Sequence, residues 1–130
     1  MTTRLAALSL LVADYDAAIA WFTQVLGFDL AQDDDLGGGK RWVKVAPPGG
    51  GTALLLAKAV TPQQTAMIGA QGGGRVWLFL ASDDFDADHA AMLARGVKFL
   101  EAPRREPYGS VAVFEDLYGN RWDLLSSETP

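Results

Sequence analysis

The sequence contains no cysteine and only one histidine, His89, among its 130 residues. The absence of cysteine excludes disulfides, thiolate nucleophiles, iron–sulfur clusters and zinc sites that need sulfur ligands. Basic side chains are outnumbered by acidic ones, 11 to 16, and the net charge of −5 disfavours nucleic acid and anionic membranes as partners. No apolar run approaches the roughly 20 residues of a membrane span, and charge appears too early for a secretory signal. These shortages predict a cytoplasmic protein that contacts neither nucleic acid nor a membrane.

The residues that are present indicate an ordinary globular chain. Hydrophobic residues make up 49% of the sequence and charged residues 21%, a balance that disfavours extended disorder. The length is that of a single domain, without room for separate cofactor and substrate domains. Glycine triplets at residues 37–39, 49–51 and 72–74 indicate loops. None of them matches the P-loop or the dinucleotide-binding motif, so a phosphate-binding function is not predicted.

The first half of the chain predicts a strand, a helix and three further strands. Asp14 is a candidate N-cap, and Gly27 ends an amphipathic stretch with apolar residues at three- and four-residue steps. Short apolar runs bounded by glycine, proline or charge indicate the strands. The predicted elements are a strand at 5–12, a helix from 14 to 26, and strands at 28–31, 41–46 and 52–57.

The second half repeats this order at an offset of about 70 residues, the signature of an internal repeat. Asp14, Gly27 and Phe28 have parallels in Asp84, Gly96 and Phe99. The predicted elements are a strand at 75–81, a helix at 84–95, and strands at 97–100, 110–114 and 121–125. We therefore expect one domain of two modules, about residues 1–60 and 74–130, joined by a linker at about 61–73.

Two segments carry a resemblance to a known superfamily. They are DYDAAIAWFTQVLGF, at residues 14–28, and PYGSVAVFEDLYGNRWDLL, at residues 107–125. With the duplicated order of elements, they resemble the vicinal oxygen chelate superfamily, which includes glyoxalase I, extradiol dioxygenases and bleomycin resistance proteins. The chain departs from this pattern at Leu117, where proline is usual. The resemblance implies an α+β fold, in which two tandem βαβββ modules form cup-shaped mixed sheets with helices on the outer face, and it implies a homodimer.

Enzymes of this superfamily hold a divalent metal in the cup, and the resemblance locates the ligand positions. They fall at Ala7, at Leu54 or Leu55, at Arg75 and at Asp123. Of these side chains only Asp123 offers a metal an electron pair, whereas a divalent ion needs about three protein donors. We therefore predict no metal and no other cofactor.

Other catalytic arrangements are also thinly supported, and no catalytic residue is predicted. His89 lies within the predicted second helix, where a solvated or helix-packing side chain is expected. None of the serines stands in a nucleophile-elbow motif. The three consecutive acids at residues 33–35 lack the alternating spacing of a calcium loop, so we expect a solvated turn there.

Strand alternation identifies side chains that line a cup of this kind. If Ala7 and Arg75 face the cup, Ser9, Leu11, Trp77 and Phe79 face it too. In the superfamily the first and last strands of a module are neighbours, which would bring Arg75 and Asp123 together, either to orient an anionic group or as a structural ion pair. Trp42, with Lys44 two residues beyond, and Tyr108 complete the predicted set, with core or dimer packing and loop packing against Pro107 as the structural alternatives. The predicted ligand-binding residues are Trp42, Arg75, Trp77, Tyr108 and Asp123.

Three functions remain open from the sequence. The first is metal-free binding of a small organic molecule, aromatic or anionic, by a homodimer similar to the bleomycin resistance proteins. The second is a metal-dependent lyase or dioxygenase of the same superfamily. The third is a non-catalytic interaction module whose cup is filled by its own side chains. Pocket volume and donor count discriminate among the three.

Overall fold

The first of two units, residues 1–68, is a four-stranded mixed sheet packed against one helical segment. The strand order is β1-β4-β3-β2, with β1 parallel to β4 and the other neighbours antiparallel. The elements are β1 (Ala7–Val12), α1 (Tyr15–Ala20), a π-helix (Trp21–Leu26), β2 (Asp29–Gly37), β3 (Lys40–Ala46), β4 (Ala53–Lys58) and α2 (Pro62–Ala66).

The helical segment of this unit begins and ends where the sequence predicts. The Asp14 carboxylate accepts a hydrogen bond from the Ala17 amide at 2.7 Å and so caps α1. Gly27 ends the π-helix in the left-handed conformation, with a φ of 89°. Ala18, Phe22 and Leu26 recur on one face and are buried. They pack over the fully or almost fully buried strand residues Leu10, Val12, Val43, Val45, Leu54 and Leu56.

The second unit begins at Gly69 and contains a five-stranded mixed sheet and one longer helix. Its strand order is β5-β9-β8-β6, and β7 also pairs with β8. The elements are β5 (Val76–Ser82), α3 (Phe85–Ala94), β6 (Lys98–Phe99), β7 (Arg104–Glu106), β8 (Gly109–Glu115) and β9 (Arg121–Ser126). This computed structural model describes residues 1–127, so the last three residues of the predicted second module lie outside the described part. The division into units falls inside the predicted linker, which contains α2.

The two unclosed mixed sheets with few helices confirm the predicted α+β class. The single histidine is a packing residue, as expected. The His89 ring is stacked on Phe85 at 5.8 Å between centroids and lies 4.5 Å from Phe99, whose ring in turn contacts Phe114. No helix in the described residues is long and apolar enough to cross a membrane.

The solvated turn expected at residues 33–35 is wrong, because β2 runs through these acids as an edge strand. Charge on a strand that pairs on one side only is tolerated and blocks edge-to-edge association. Arg41 holds Asp33 in a two-pronged contact, Nε to Oδ1 at 3.1 Å and Nη2 to Oδ2 at 2.7 Å. The Arg41 Nη1 atom also lies 2.8 Å from Asp16 on α1. The hydrogen bond from Arg41 holds the pKa of Asp33 below its ordinary value.

Each sheet turns one face toward the main helical segment of its own unit, α1 with the π-helix in the first and α3 in the second, and its opposite face points away from that segment. In the first sheet this opposite face carries side chains that alternate with the buried core. We call it the first helix-free face, and its members are Ser9, Leu11, Trp42, Lys44 and Leu55. The second helix-free face is defined in the same way by Phe79, Val111, Val113, Asp123 and Leu125. These two faces carry two of the five predicted ligand-binding residues, Trp42 and Asp123.

Candidate functional site

The first helix-free face combines an indole ring with a cation. Trp42 is 38% exposed, because β3 turns Val43 and Val45 toward the helix and therefore turns Trp42 and Lys44 away from it. On the neighbouring edge strand, Asp34 lies opposite Trp42, and Gln32 lies opposite Lys44. The Gln32 amide donates a hydrogen bond of 2.6 Å to Asp34. The face is thus a flat aromatic surface with polar groups on one side.

A cleft of about 490 Å³ opens beside Lys44 within the first unit. Two of the side chains that line it, Arg4 and Lys44, are cationic. The Thr52 hydroxyl, also in the lining, donates to the backbone oxygen of Leu5 at 3.1 Å and so holds the two sides of the cleft together. The charge of this cleft suits an acidic or carbonyl-bearing group. Its full lining is Arg4, Leu5, Ala6, Lys44, Gly51 and Thr52.

The second helix-free face has a half-buried carboxylate at its centre. Asp123 lies on β9 between Phe79 of β5 and Val113 of β8. Its Oδ1 atom is out of contact with solvent and has no hydrogen-bond partner within residues 1–127. Burial raises the pKa of Asp123, while the charge of Arg104 lowers it and that of Glu101 raises it further. The Phe79 ring beside it is 63% exposed, so an apolar surface and an unfilled acceptor lie next to each other.

One guanidinium group lies near Asp123, but two other carboxylates occupy it. Arg104 donates from Nε to Glu101 at 2.8 Å and from Nη1 to Glu106 at 2.5 Å. The second oxygen of Glu101 accepts the backbone amide of Val113 at 3.0 Å, where the strand beside β8 is interrupted. The hydrogen bond from Arg104 holds the pKa of Glu101 below its ordinary value. Arg104 is therefore engaged by Glu101 and Glu106, and Asp123 has no bonded cation among residues 1–127.

The expected ion pair between Arg75 and Asp123 is wrong. Arg75 is exposed and precedes β5, whereas the residue opposite Asp123 is Phe79, four positions later. Among the residues that the structure describes, no ion pair involves either side chain. The register between β5 and β9 also shifts by one residue between Val76 and Leu78, so Trp77 has no paired residue on β9.

The other predicted residues of the second unit lie outside the centre of this face. Trp77 is half-buried at the shift in β5 and packs on Gly72, where an added Cβ would lie 2.8 Å from the Trp77 Cβ. Tyr108 is 51% exposed in the turn between β7 and β8. The structure thus places Phe79 opposite Asp123, and within residues 1–127 no hydrogen bond or ion pair joins Asp123 to Arg75, Trp77 or Tyr108. Their assignment as ligand-binding residues stays a prediction.

The side chains at the superfamily's metal positions do not fit a metal. Ala7, Leu54, Leu55 and Arg75 offer no electron pair to a cation, and Asp123 is the single donor. Within residues 1–127, no group of three or more His, Cys, Asp or Glu side chains is placed to hold a metal ion, at Asp123 or elsewhere. We therefore derive no chemistry through a metal.

Another aspartate in the segment of residues 107–125 has a structural function. The Asp116 carboxylate is buried and accepts four hydrogen bonds, two at Oδ1 from the Tyr118 and Asn120 amides, both at 3.0 Å. At Oδ2 it accepts the Asn120 side-chain amide at 3.0 Å and the Trp122 indole at 3.1 Å. Burial raises the pKa of Asp116, and the hydrogen bonds from Trp122 and Asn120 oppose that rise. Asp116 therefore stabilises the turn between β8 and β9, in which Gly119 has a φ of 94°.

The sequence analysis did not predict three residues of the charged cluster near Asp123: Glu101, Arg104 and Glu106. They lie in EAPRRE, which includes a proline and reads as a loop. The available signal was the alternation of Arg104 and Glu106 after Pro103, typical of a short edge strand that resumes after an interruption.

Comparisons with known proteins agree with the fold. The profile of the Glyoxalase/Bleomycin resistance protein/Dioxygenase superfamily matches residues 4–124. A protein of Shewanella frigidimarina (strain NCIMB 400) is 52% identical over 120 residues, 91% of this chain and 89% of that one. The crystal structure of TnmS3, an antibiotic binding protein from Streptomyces sp. CB03234, is 32% identical with a TM-score of 0.80, covering 98% of this chain and 99% of that one.

A second solved structure, a glyoxalase/bleomycin resistance protein from the same Streptomyces, is 35% identical with a TM-score of 0.74. The match covers 94% of this chain and 99% of that chain. The resemblance seen in the sequence is thereby confirmed over almost the whole chain. The chain belongs to the Glyoxalase/Bleomycin resistance protein/Dioxygenase superfamily.

Proposed function

We propose that this protein binds a small organic molecule with a planar apolar part, without a metal ion and without covalent chemistry. The observation that carries the proposal is the pair formed by Asp123 and Phe79. An acceptor atom without a partner lies beside an aromatic ring that is 63% exposed. A buried acceptor without a partner raises the free energy of the folded protein, and a bound guest that donates to it removes this cost.

The first unit supports the same function with a second aromatic surface. Trp42 is 38% exposed on the first helix-free face, and Lys44 lies two residues beyond it beside the cationic cleft. Large aromatic side chains supply stacking area for planar guests, and placed polar groups fix the orientation of such guests. TnmS3, an antibiotic binding protein, is 32% identical to this chain, which supports a binding function of this kind here.

The two other functions that the sequence left open are less well supported. A metal-dependent lyase or dioxygenase needs donors that Ala7, Leu54 or Leu55 and Arg75 do not supply. A module filled by its own side chains would not leave the Phe79 ring 63% exposed. The homodimer implied by the superfamily and the cytoplasmic location stay predictions.

Titration with four naphthalene probes of different charge tests the proposal. The probes are 2-naphthol, 2-naphthylmethylammonium, 2-methoxynaphthalene and 2-naphthoate, with binding followed by thermal shift and calorimetry. We expect saturable binding of at least one probe, unchanged after EDTA treatment. Phe79→Ala should weaken it about three- to tenfold, the equivalent of one lost aromatic contact.

The matched control is Leu93→Ala, which removes another exposed apolar side chain, 50% exposed, from helix α3. It should leave the affinity unchanged. Absence of saturable binding by all four probes would overturn the proposal. So would binding that EDTA abolishes and a stoichiometric metal ion restores.

A further inference from the structure

The Asp123 site also restricts the chemistry of the guest, and this inference rests on the proposed function. A carboxylate accepts hydrogen bonds and does not donate them. The Asp123 Oδ1 atom receives no hydrogen bond within the described residues. The group that completes this oxygen must therefore carry an N–H or O–H donor. An ether or an aromatic hydrocarbon leaves it unfilled.

The surrounding charges argue against an anionic group at the same position. Arg104, the cation whose charge acts on Asp123, already donates to Glu101 and Glu106. The Arg75 side chain, which the sequence suggested as an anion-binding group, forms no ion pair with Asp123. A guest carboxylate at Asp123 would face a like charge with no unengaged guanidinium bonded between them, which disfavours binding.

The neighbouring side chains supply the apolar half of the contact. Phe79 and Val113 flank Asp123 on the two adjacent strands, and Leu125 follows Asp123 on the same face of β9. A donor group attached to a planar ring would place the ring along these side chains. The Oδ1 atom is shielded from solvent, so the guest reaches it by displacing surface side chains, a rotamer change that exposed residues make in nanoseconds or less.

We propose that Asp123 selects guests that present a hydrogen-bond donor, either a protonated amine or a hydroxyl, on an aromatic ring, and that it rejects aromatic carboxylates. The second helix-free face is thus a donor-recognition site. An acidic group of a guest fits the Arg4 and Lys44 cleft of the first unit better than it fits Asp123.

The four naphthalene probes test this selectivity on the full-length chain at pH 7.5. We expect 2-naphthylmethylammonium and 2-naphthol to bind about tenfold more tightly than 2-methoxynaphthalene, the value of one hydrogen bond to a charged acceptor. We expect 2-naphthoate to bind most weakly at the Asp123 site, where binding is identified by its weakening in Phe79→Ala. Binding of 2-naphthoate that Phe79→Ala leaves unchanged belongs to the Arg4 and Lys44 cleft. In Asp123→Asn, the preference for the ammonium probe over 2-methoxynaphthalene should fall to about threefold or less, because the acceptor is no longer charged.

The matched control is Asp83→Asn, which removes the same charge from an exposed position before α3. It should keep the wild-type order of affinities. Equal binding of 2-naphthol and 2-methoxynaphthalene would overturn the selectivity, and so would tighter binding of 2-naphthoate that Phe79→Ala weakens. If binding is still weakened by Phe79→Ala in that case, the proposed function stands. Absence of binding by every probe overturns both.

Discussion

Two aspartates of the second unit should respond in opposite ways to the same isosteric change. Asp116 and Asp123 lie seven residues apart, and burial raises the pKa of both carboxyls. They differ in what surrounds them. Asp116 accepts four hydrogen bonds from its own turn, whereas the Oδ1 atom of Asp123 accepts none from the described residues. Replacement by asparagine keeps the shape and removes the charge at each position.

The expected magnitudes follow from the donors that each carboxylate faces. In Asp116→Asn, the new NH2 group must point at one of two donor pairs, so two of the four hydrogen bonds are lost. At about 1.5–3 kcal/mol for each bond to a charged acceptor, the free energy of unfolding should fall by about 3 kcal/mol or more. In Asp123→Asn, no hydrogen bond is lost within the described residues and a partly buried charge disappears. Because this side chain is only half-buried, we expect a gain of about 0–1 kcal/mol.

Urea unfolding at pH 7, followed by far-ultraviolet circular dichroism, measures both changes without relying on Trp122, whose indole belongs to the Asp116 network. Trp122→Phe supplies a graded comparison, since it removes one of the four donors and should cost less than Asp116→Asn. The reasoning is refuted if the two asparagine variants change stability in the same direction by similar amounts. A loss of more than about 1 kcal/mol in Asp123→Asn would show that Asp123 has a structural partner.

Two further predictions follow from the second unit. Burial raises the folded-state pKa of Asp123 above its unfolded value of about 3.9. The stability lost by ionising Asp123 in the folded protein is therefore absent below that pH and develops as the pH rises. The stability advantage of Asp123→Asn should therefore be largest at pH 7 and vanish toward pH 3.5 in urea unfolding; an advantage that grows in acid would contradict this sign. Gly69→Ala should lower the melting temperature far more than Gly73→Ala, although both glycines have a positive φ, 76° and 63°. A Cβ added at Gly69 would lie 2.0 Å from the Tyr118 backbone oxygen, whereas a Cβ added at Gly73 would have no heavy atom within 4 Å. Equal losses of melting temperature in the two variants would exclude this clash as the cause.

The sequence predicts the elements with strong local signals. Asp14 and Gly27 bound the first helix because a carboxylate satisfies free amides at a helix start and glycine tolerates a positive φ at its end. The duplicated order follows from such signals occurring twice. Edge strands were predicted less well, since β2 contains three acids and β7 follows a proline. Edge strands are stabilised by one neighbour and tolerate charge, so their composition resembles that of loops.

The centre of the second helix-free face, at Asp123, could be predicted in part. Asp123 was located by the resemblance to the superfamily at residues 107–125, and Phe79 by alternation from Arg75. The neighbour of Asp123 was predicted incorrectly, because β5 pairs with β9 so that Phe79 lies opposite Asp123, four residues beyond Arg75. The one-residue shift between Val76 and Leu78 accounts for only part of this difference. Arg104 replaces Arg75 as the nearby cation, and its engagement by Glu101 and Glu106 depends on how β7 pairs with β8. Pairing of this kind is a tertiary property that residue spacing does not specify.

The two aspartates of this unit differ in whether the chain itself supplies hydrogen-bond donors to the carboxylate, and this difference distinguishes a structural side chain from a candidate binding side chain. Asp116 is filled by the turn that it organises, so its burial is compensated and its loss should unfold the turn. Asp123 lies among Phe79, Val113 and Leu125, where an apolar side chain of similar size would pack without the cost of a shielded charge. Asp123 therefore opposes folding at neutral pH and contributes no bond to it within the described residues. A side chain that lowers stability without a structural partner is the kind of local conflict that proteins accept at binding sites. We propose that the hydrogen-bond donor of a bound guest supplies this missing partner, and that the site recognises the guest by that donor.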